Sequence, residues 1–382
     1  MKQRFFHVTT LIAVVAICLM SFGTAVAGTD DVKLPKMMHW SCYDVGAGAY
    51  IQTSAIADGL LKKYGVKVRL MPTGSDTSRI LSMRTKRVEM SFLGNGAFFA
   101  AEGLYDFSTY EWGPQDLRCV LAAPATHCLY TTQTSGINEI KDLKGRRVAW
   151  IIGSPSLNVK ATGYLAFGGL TWDDVEKVEF ASYGASLNGL IEGSVDAIGG
   201  TTNGGIIKAA ASPKGAKLLE LPADNTEGWA RLVKLAPFLT PAMETKGIDI
   251  EAGHPKAVAQ QRFPTAFLYA DSDPDLVYNF IKAVHKSYDI YKSSHQDMPN
   301  WEVHLAGKTP ADVPFHEGAV RYLKEIGVWT AEDQAWNDAR LAHMKKVQAA
   351  WEKAVDTAQE QKIKSKDFPA FWLKERAKAL GE

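Results

Sequence analysis

The chain reads as an α/β protein of two lobes, each an α/β domain, joined by a hinge of two strands and followed by a helical extension. Three observations predict this. Strand-like and helix-like segments alternate through both halves, as parallel sheets covered by helices require. One design, an apolar strand, a loop of small residues and a helix, occurs once in each half. Finally, 382 residues suffice for two separate cores.

The first unit begins at Met37-Met38-His39-Trp40-Ser41-Cys42, turns through Gly46-Ala47-Gly48-Ala49-Tyr50 and continues as a helix from Ile51 to Lys62. A strand at 66–71, a helix at 77–85, a strand at 88–93 and a helix at 97–103 follow. The second unit begins at Arg147-Val148-Ala149-Trp150-Ile151-Ile152, turns through Gly153-Ser154-Pro155-Ser156 and continues as a helix from Leu157 to Phe167. After it come a strand at 178–182, a helix at 186–192, a strand at 195–198 and a helix at 204–211. The halves match best where these units end. Val88-Glu89-Met90 leads to Gly94-Asn95-Gly96, and Val195-Asp196-Ala197 leads to Thr202-Asn203-Gly204. One Asn-Gly pair alone reads as a plain turn. Two at equivalent places beyond strand ends, where open parallel sheets hold ligands, read as opposite walls of one cleft.

The chain is expected to cross to the second lobe in the apolar segment 117–130 and to return at 262–269, ahead of a helix at 275–292. This divides it into lobe 1 (28–121 and 263–329), lobe 2 (122–262) and an extension, 330–382. In the extension Met344, Val347, Trp351, Ala354 and Ala358 mark one face of a long helix, expected to pack on a lobe.

The N-terminus bears on location. Lys2 and Arg4 precede an apolar run from Leu11 to Met20, and Ala25-Val26-Ala27 has the small-x-small pattern of a signal peptidase site. A signal peptide over 1–27, cleaved after Ala27, and a periplasmic product follow from this pattern. The run is too short for a spanning helix, so the mature chain is not expected to be membrane-embedded. The 43 basic and 42 acidic residues nearly cancel, and losing Lys2 and Arg4 tips the balance slightly acidic. Nucleic acid is therefore not an expected partner. Cys42, Cys119 and Cys128 remain after cleavage. Cys119 and Cys128 are either a disulfide or buried free thiols, and three unclustered cysteines make no metal site.

Small residues between a buried strand and a helix start let a ligand approach the backbone, and unpaired N–H groups of the first helical turn favour anions. Two such mouths suggest one small organic anion held between lobes. Hydroxyl and backbone donors replace the water around a carboxylate without a buried counter-charge. Ser156 either caps its helix or donates to the ligand, and the two roles are compatible.

Several patches point to a family: Gly46-Ala47-Gly48-Ala49-Tyr50, Pro72-Thr73-Gly74-Ser75, Ile140-Lys141-Asp142-Leu143-Lys144-Gly145-Arg146-Arg147-Val148 and Gly169-Leu170-Thr171-Trp172-Asp173-Asp174-Val175. The most specific is Val313-Pro314-Phe315-His316-Glu317-Gly318-Ala319-Val320-Arg321-Tyr322-Leu323-Lys324-Glu325-Ile326-Gly327. In this order the chain resembles the TAXI group of solute-binding proteins that serve tripartite ATP-independent periplasmic (TRAP) transporters. The resemblance implies a two-lobed periplasmic binding-protein fold of type II-like organisation. It also implies a glutamate-like, dicarboxylate or 2-oxo acid ligand delivered to TRAP membrane permease subunits. Carried over, Tyr50, Thr73, Gly74, Ser75 and Asn95, with Ser41, would line one wall. Gly153, Ser154, Ser156, Thr202 and Asn203 would line the other. Ser41-Cys42-Tyr43-Asp44-Val45 is bulkier than the family's small-residue run, and Arg79 stands where an asparagine is common. Arg79 either pairs with a ligand carboxylate or is a solvated helix residue. Trp40 and Tyr43 could floor an apolar part of the pocket, and Trp150 is expected in its lobe's core.

Enzyme activity is not expected, and neither a cofactor nor a metal. Gly153-Ser154-Pro155-Ser156-Leu157 lacks the second glycine of a nucleophile elbow. His316 has no catalytic partner and is expected to tie a loop to the helix after it. The first glycine loop lacks the third glycine of a dinucleotide fingerprint. His285, His295 and His304 are too scattered for a ligand cluster. A receptor for transport is the favoured function, with a periplasmic sensory module reporting to a membrane kinase as the alternative.

Overall fold

The computed structural model describes residues 32–382, so the expected signal peptide lies outside the described residues. Strand β1 (Met37–Cys42) buries Met38, Trp40 and Cys42 and runs parallel to both β2 (Lys67–Pro72) and β3 (Met90–Leu93). The connections are α1 (Gly48–Tyr64), α2 (Asp76–Arg84) and, after β3, α3 (Gly96–Glu102). Two long strands then dominate: β4 (Leu117–Thr131) and, much later, β10 (Lys256–Tyr269), antiparallel to each other.

Between them the second half repeats the first. A parallel pair, β5 (Arg147–Ile151) and β6 (Glu176–Phe180), flanks α4 (Pro155–Phe167). Next come α5 (Tyr183–Glu192), β7 (Ile198–Thr201), α6 (Ile206–Ala210), β8 (Lys217–Leu219), α7 (Thr226–Leu235) and β9 (Thr240–Glu244). At one end β10 pairs with β3, and at the other with β9. Strand β4 likewise reaches β7 and β8 with its far end. Two continuous strands thus run through both α/β halves, which is the two-lobed architecture with a two-strand hinge. The ladder between them is irregular between Arg262 and Thr265, and such irregularity bends a strand where one half passes into the other.

After β10 the chain returns to the first half through α8 (Pro274–Lys286), α9 (Tyr288–Tyr291), α10 (Val303–Ala306) and α11 (Glu317–Glu325). The expected helix at 275–292 is broken at Ser287, which ends α8. Phe280 meets Trp40 edge-on at 5.5 Å, so Trp40 belongs to this core and does not floor a pocket. Trp150 is half-buried, edge-on to Trp172 at 5.3 Å, and is not a core residue. His316 caps α11: its Nδ1 accepts the Gly318 N–H at 3.1 Å, the structural task expected of it. Of the two alternatives for Cys119 and Cys128, the structure has the buried free thiols. Both thiols are buried and free, and nine residues along one strand separates them by about 30 Å, far beyond a disulfide's reach.

The extension is two helices, α12 (Ala331–Glu360) and α13 (Phe368–Leu380), in place of the one long helix expected. The expected stripe is the buried one, since Met344, Val347, Ala354 and Ala358 are all at most 2% exposed. Val347, Ala354, Ala358, Phe368 and Trp372 form a small core with Tyr110 of the first half stacked on Phe368 at 3.6 Å. One buried carboxylate bolts the extension down. Glu102, 1% exposed, pairs with Arg340 at 2.7 Å, Arg376 at 2.5 Å and His343 at 2.9 Å. Burial alone would raise its pKa, but His343, Arg340 and Arg376 reverse this and hold it at about 2 against an ordinary 4.5.

A carboxylate held below its ordinary pKa adds stability that is complete above the unfolded value and withdrawn as pH falls through the folded one. Glu102→Gln is therefore expected to cost about 3 kcal/mol near neutrality in urea unfolding. The difference from the parent chain should shrink as pH falls from 4.5 toward 2. A gap independent of pH would contradict the bolt.

Candidate functional site

Six loops, each at the carboxyl end of a strand, meet between the halves. From the first half come the loops after β1, β2 and β3, and from the second those after β5, β6 and β7. Their approach is close enough to need glycine: a Cβ on Gly48 would lie 2.8 Å from Gly204 Cα. Gly153 has φ +66°, in the left-handed region, and turns its carbonyl to accept the Asp76 N–H at 3.1 Å. Asp44 reaches across as well, its Oδ2 accepting the Gly184 N–H at 3.3 Å.

At the centre stands Asp76, wholly buried in the first turn of α2. Its Oδ2 accepts the Ser156 N–H at 3.0 Å and the Ser154 hydroxyl at 3.3 Å, so it sits at the N-terminus of α4. The mouth expected to take a ligand carboxylate is filled by a carboxylate of the opposite lobe. Helix dipole, backbone N–H and hydroxyl act as anticipated, on a different anion. Arg79 is buried, so it is not a solvated helix residue, and its Nε has no partner. Its Nη2 donates to Asp76 Oδ1 at 2.8 Å, its Nη1 to the Thr73 carbonyl at 2.7 Å, and its guanidinium lies 3.7 Å over the Tyr43 ring.

The other expected residues divide into those spent on structure and those with unpaired atoms. Ser41 is buried in β1, its hydroxyl 2.8 Å from Ser91 Oγ and 3.2 Å from the Arg79 carbonyl. Ser75 caps α2, its Oγ accepting the Ser78 N–H at 3.2 Å. Gly74 lies against Ser182, and Tyr50 is half-buried in the first turn of α1. Thr202 is bonded to Thr126 and to Glu244, and Asn203 donates to Asp297 at 3.0 Å. Asn95 donates to Asp312 at 2.9 Å. Buried atoms without a partner remain on Thr73 Oγ1, Asn95 Oδ1, Ser156 Oγ and Asn203 Oδ1. The Ser156 hydroxyl lies beside the Tyr43 phenol.

Sequence reasoning missed three residues here. Lys160, 1% exposed, projects from α4 one turn beyond Ser156 and donates to Gln261 Oε1 on β10 at 2.9 Å. Among the described residues no carboxylate lies within 4 Å of its ammonium. Burial lowers its pKa to about 8, with Asp76 and Asp312 pulling upward. The spacing of Ser156 and Lys160, four apart on one helix face, was the available signal. Gln261 keeps an unpaired Nε2, and Asp312 an unpaired Oδ2. Burial raises Asp312 to about 6, against the Asn95 hydrogen bond and the charges of Lys160, Arg340 and Arg262. Phe263 walls this cluster, its ring 5.3 Å from Tyr43 and 5.8 Å from the Lys160 ammonium.

His285, Glu302 and His304 bring three ligand atoms within 4.8 Å of one another, nearer than sequence spacing implied. They lie away from the site.

The model of the NMT1-like family matches residues 46–327. Among solved structures, the alkanesulfonate-binding protein SsuA from Xanthomonas axonopodis pv. citri bound to MOPS is 14% identical, with a TM-score of 0.44 over 87% of this chain and 95% of that one. The periplasmic aliphatic sulphonate binding protein SsuA from Escherichia coli is 15% identical, with a TM-score of 0.38 over 80% and 88%. PhnD1 from Prochlorococcus marinus in complex with methylphosphonate is 12% identical, with a TM-score of 0.44 over 70% and 89%.

Removing the charge at the centre is expected to loosen the jaws. Asp76→Asn leaves Arg79 buried without its counter-charge, a loss of about 3 kcal/mol in urea unfolding. The ligand-free variant should also show a larger radius of gyration by small-angle scattering. Unchanged stability and an unchanged radius would show that Asp76 does not hold the halves together.

Proposed function

The chain belongs to the NMT1-like family, and from its two-jawed site we propose that it is a receptor that captures a small organic acid between its lobes and hands it to a membrane permease. One observation carries this reading. Lys160 is a buried ammonium whose direct partner is the neutral Gln261 Oε1, with Asp76 and Asp312 acting on it only from beyond ion-pair distance, and beside it Ser156 Oγ and Gln261 Nε2 are buried without a partner. A buried cation left so calls for an anion, and an incoming carboxylate would accept from all three. The lobes 28–121 with 263–329, and 122–262, would close about β4 and β10 as rigid bodies, with 330–382 riding on the first.

The finer reading is the TAXI type of TRAP receptor, with TRAP membrane subunits as partners and a glutamate-like, dicarboxylate or 2-oxo acid as cargo. Its support is the run of motifs that ends around His316. A periplasmic location rests on the leader pattern at 1–27, and no helix among the described residues is long and apolar enough to cross a membrane. Binding and release without turnover is the chemistry proposed. Thr73, Gly74, Ser75, Asn95, Gly153, Ser154, Ser156, Thr202 and Asn203 would shape the walls, while Ser41, Tyr50 and Arg79 would support them.

Protein made in a periplasm is expected to carry a carboxylic acid, identifiable by mass spectrometry after release. Lys160→Met should weaken that acid 10- to 100-fold in titration calorimetry, the value of a charge-assisted hydrogen bond of about 1.5–3 kcal/mol. A bound sugar or metal with no carboxylate, or full affinity in Lys160→Met, would refute the reading.

A further inference from the structure

The organic-anion reading above leaves open which anion is taken, and a second space beside the site bears on that. A cavity of about 440 Å³ opens between α3, the segment before β9, the middle of β10 and α12. That volume falls within the range of small-molecule sites. Three half-buried aromatic residues line it: Phe98 from the first half, Phe238 from the second and Trp336 from the extension. The rings of Phe98 and Phe238 are 5.8 Å apart, so this wall is assembled from both jaws. Trp336 lies beyond the residues matched by the family model, 46–327, and belongs to this chain's own extension.

The polar side of the cavity reaches Gln261, the residue to which the buried cation donates. Gln261 lines the cavity, accepts from Lys160 at 2.9 Å, and keeps its Nε2 unpaired. Asp312 lines it too, with Oδ2 unpaired and the residue 4% exposed. Arg262 stands on the same wall, donating to the carbonyls of Pro310, Ala122 and Leu305. Arg262 and Asp312 oppose each other in charge, so the cavity gives a second carboxylate no net attraction. Arg340 is already committed, paired with Glu102 at 2.7 Å and lying 5.0 Å over the Phe98 ring, where it holds the wall in place.

We propose that the ligand is a monocarboxylate bearing an aromatic or comparably bulky apolar ring, with its carboxylate at Lys160 and its ring in this cavity. Trp336 is then a specificity-determining residue that the C-terminal extension adds to the site. A small dicarboxylate leaves the aromatic wall empty and places its second charge beside Asp312. A ring removes apolar surface of both partners from water and stacks on Phe238 and Trp336.

Calorimetric titration of the mature chain with phenylpyruvate, pyruvate and 2-oxoglutarate tests this, because the three share a 2-oxo acid head group and differ in the substituent attached to it. Phenylpyruvate should bind at least tenfold tighter than either of the others. Trp336→Ala should remove most of that advantage and leave pyruvate within twofold. Phe238→Ala, on the opposite jaw, should do the same and guards against a local folding defect in the first variant. Tighter binding of 2-oxoglutarate, or a ring preference untouched in both variants, overturns the proposal and leaves the organic-anion reading standing. No binding of any of the three acids overturns the proposal as well, whereas the organic-anion reading falls only if Lys160→Met keeps full affinity for the acid that co-purifies or if no carboxylate co-purifies.

Discussion

Everything in the site depends on the placement of one carboxylate, that of Asp76, at the N-terminus of a helix in the opposite half. Its two oxygens are shared between Arg79 of its own helix and the Ser154–Ser156 turn of α4. Neither cation nor helix end would tolerate burial alone, since an unpaired charge in the interior costs several kcal/mol. Once they share Asp76, the loops after β1, β2, β5 and β6 are drawn into contact. The short approach of Gly48 to Gly204 is possible only because Gly48 carries no Cβ.

This contact satisfies one end of α4 and leaves the next turn unsatisfied. Ser156 Oγ and Lys160 face inward from the same helix, and Gln261 on the hinge strand meets the lysine. Two cations, Arg79 and Lys160, thus sit in one buried region, and only the first has a carboxylate against it. A clamp built so distinguishes its two tasks. In the proposed receptor Asp76 holds the jaws together and Lys160 takes the cargo. The hinge strands are well suited to this, because Gln261 and Arg262 lie where β10 passes between the halves, so closure and recognition use the same few residues. The extension contributes from outside, through Glu102 as a bolt and Trp336 as a wall.

Much of the fold was legible because it depends on local pattern. Alternating apolar strands and small-residue loops located β1, β5 and the mouths after them, and the apolar segment at 117–130 marked the crossing strand β4. The capping role of His316 followed from its place before a helix. What escaped depends on contacts between distant segments. Asp76 stands just before the helix expected at 77–85, and nothing nearby in sequence shows that its partner is 80 positions away. Lys160 in an apolar helix face carried a signal that spacing from Ser156 could have exposed. Asp312 lies in an irregular loop where periodicity says nothing. Cys119 and Cys128 show the converse, since neighbouring positions on one strand can be too far apart in space to bond.

The most direct test follows the titration of Lys160 itself, by nitrogen NMR of lysine-labelled protein assigned with Lys160→Met. In the ligand-free chain its ammonium should lose its proton near pH 8, because burial is incompletely balanced by Asp76 and Asp312. Saturation with the bound carboxylate should move that midpoint upward, since an opposite charge in contact favours the protonated form. A midpoint that stays near 8 with the ligand bound would place the carboxylate elsewhere and contradict the clamp described here.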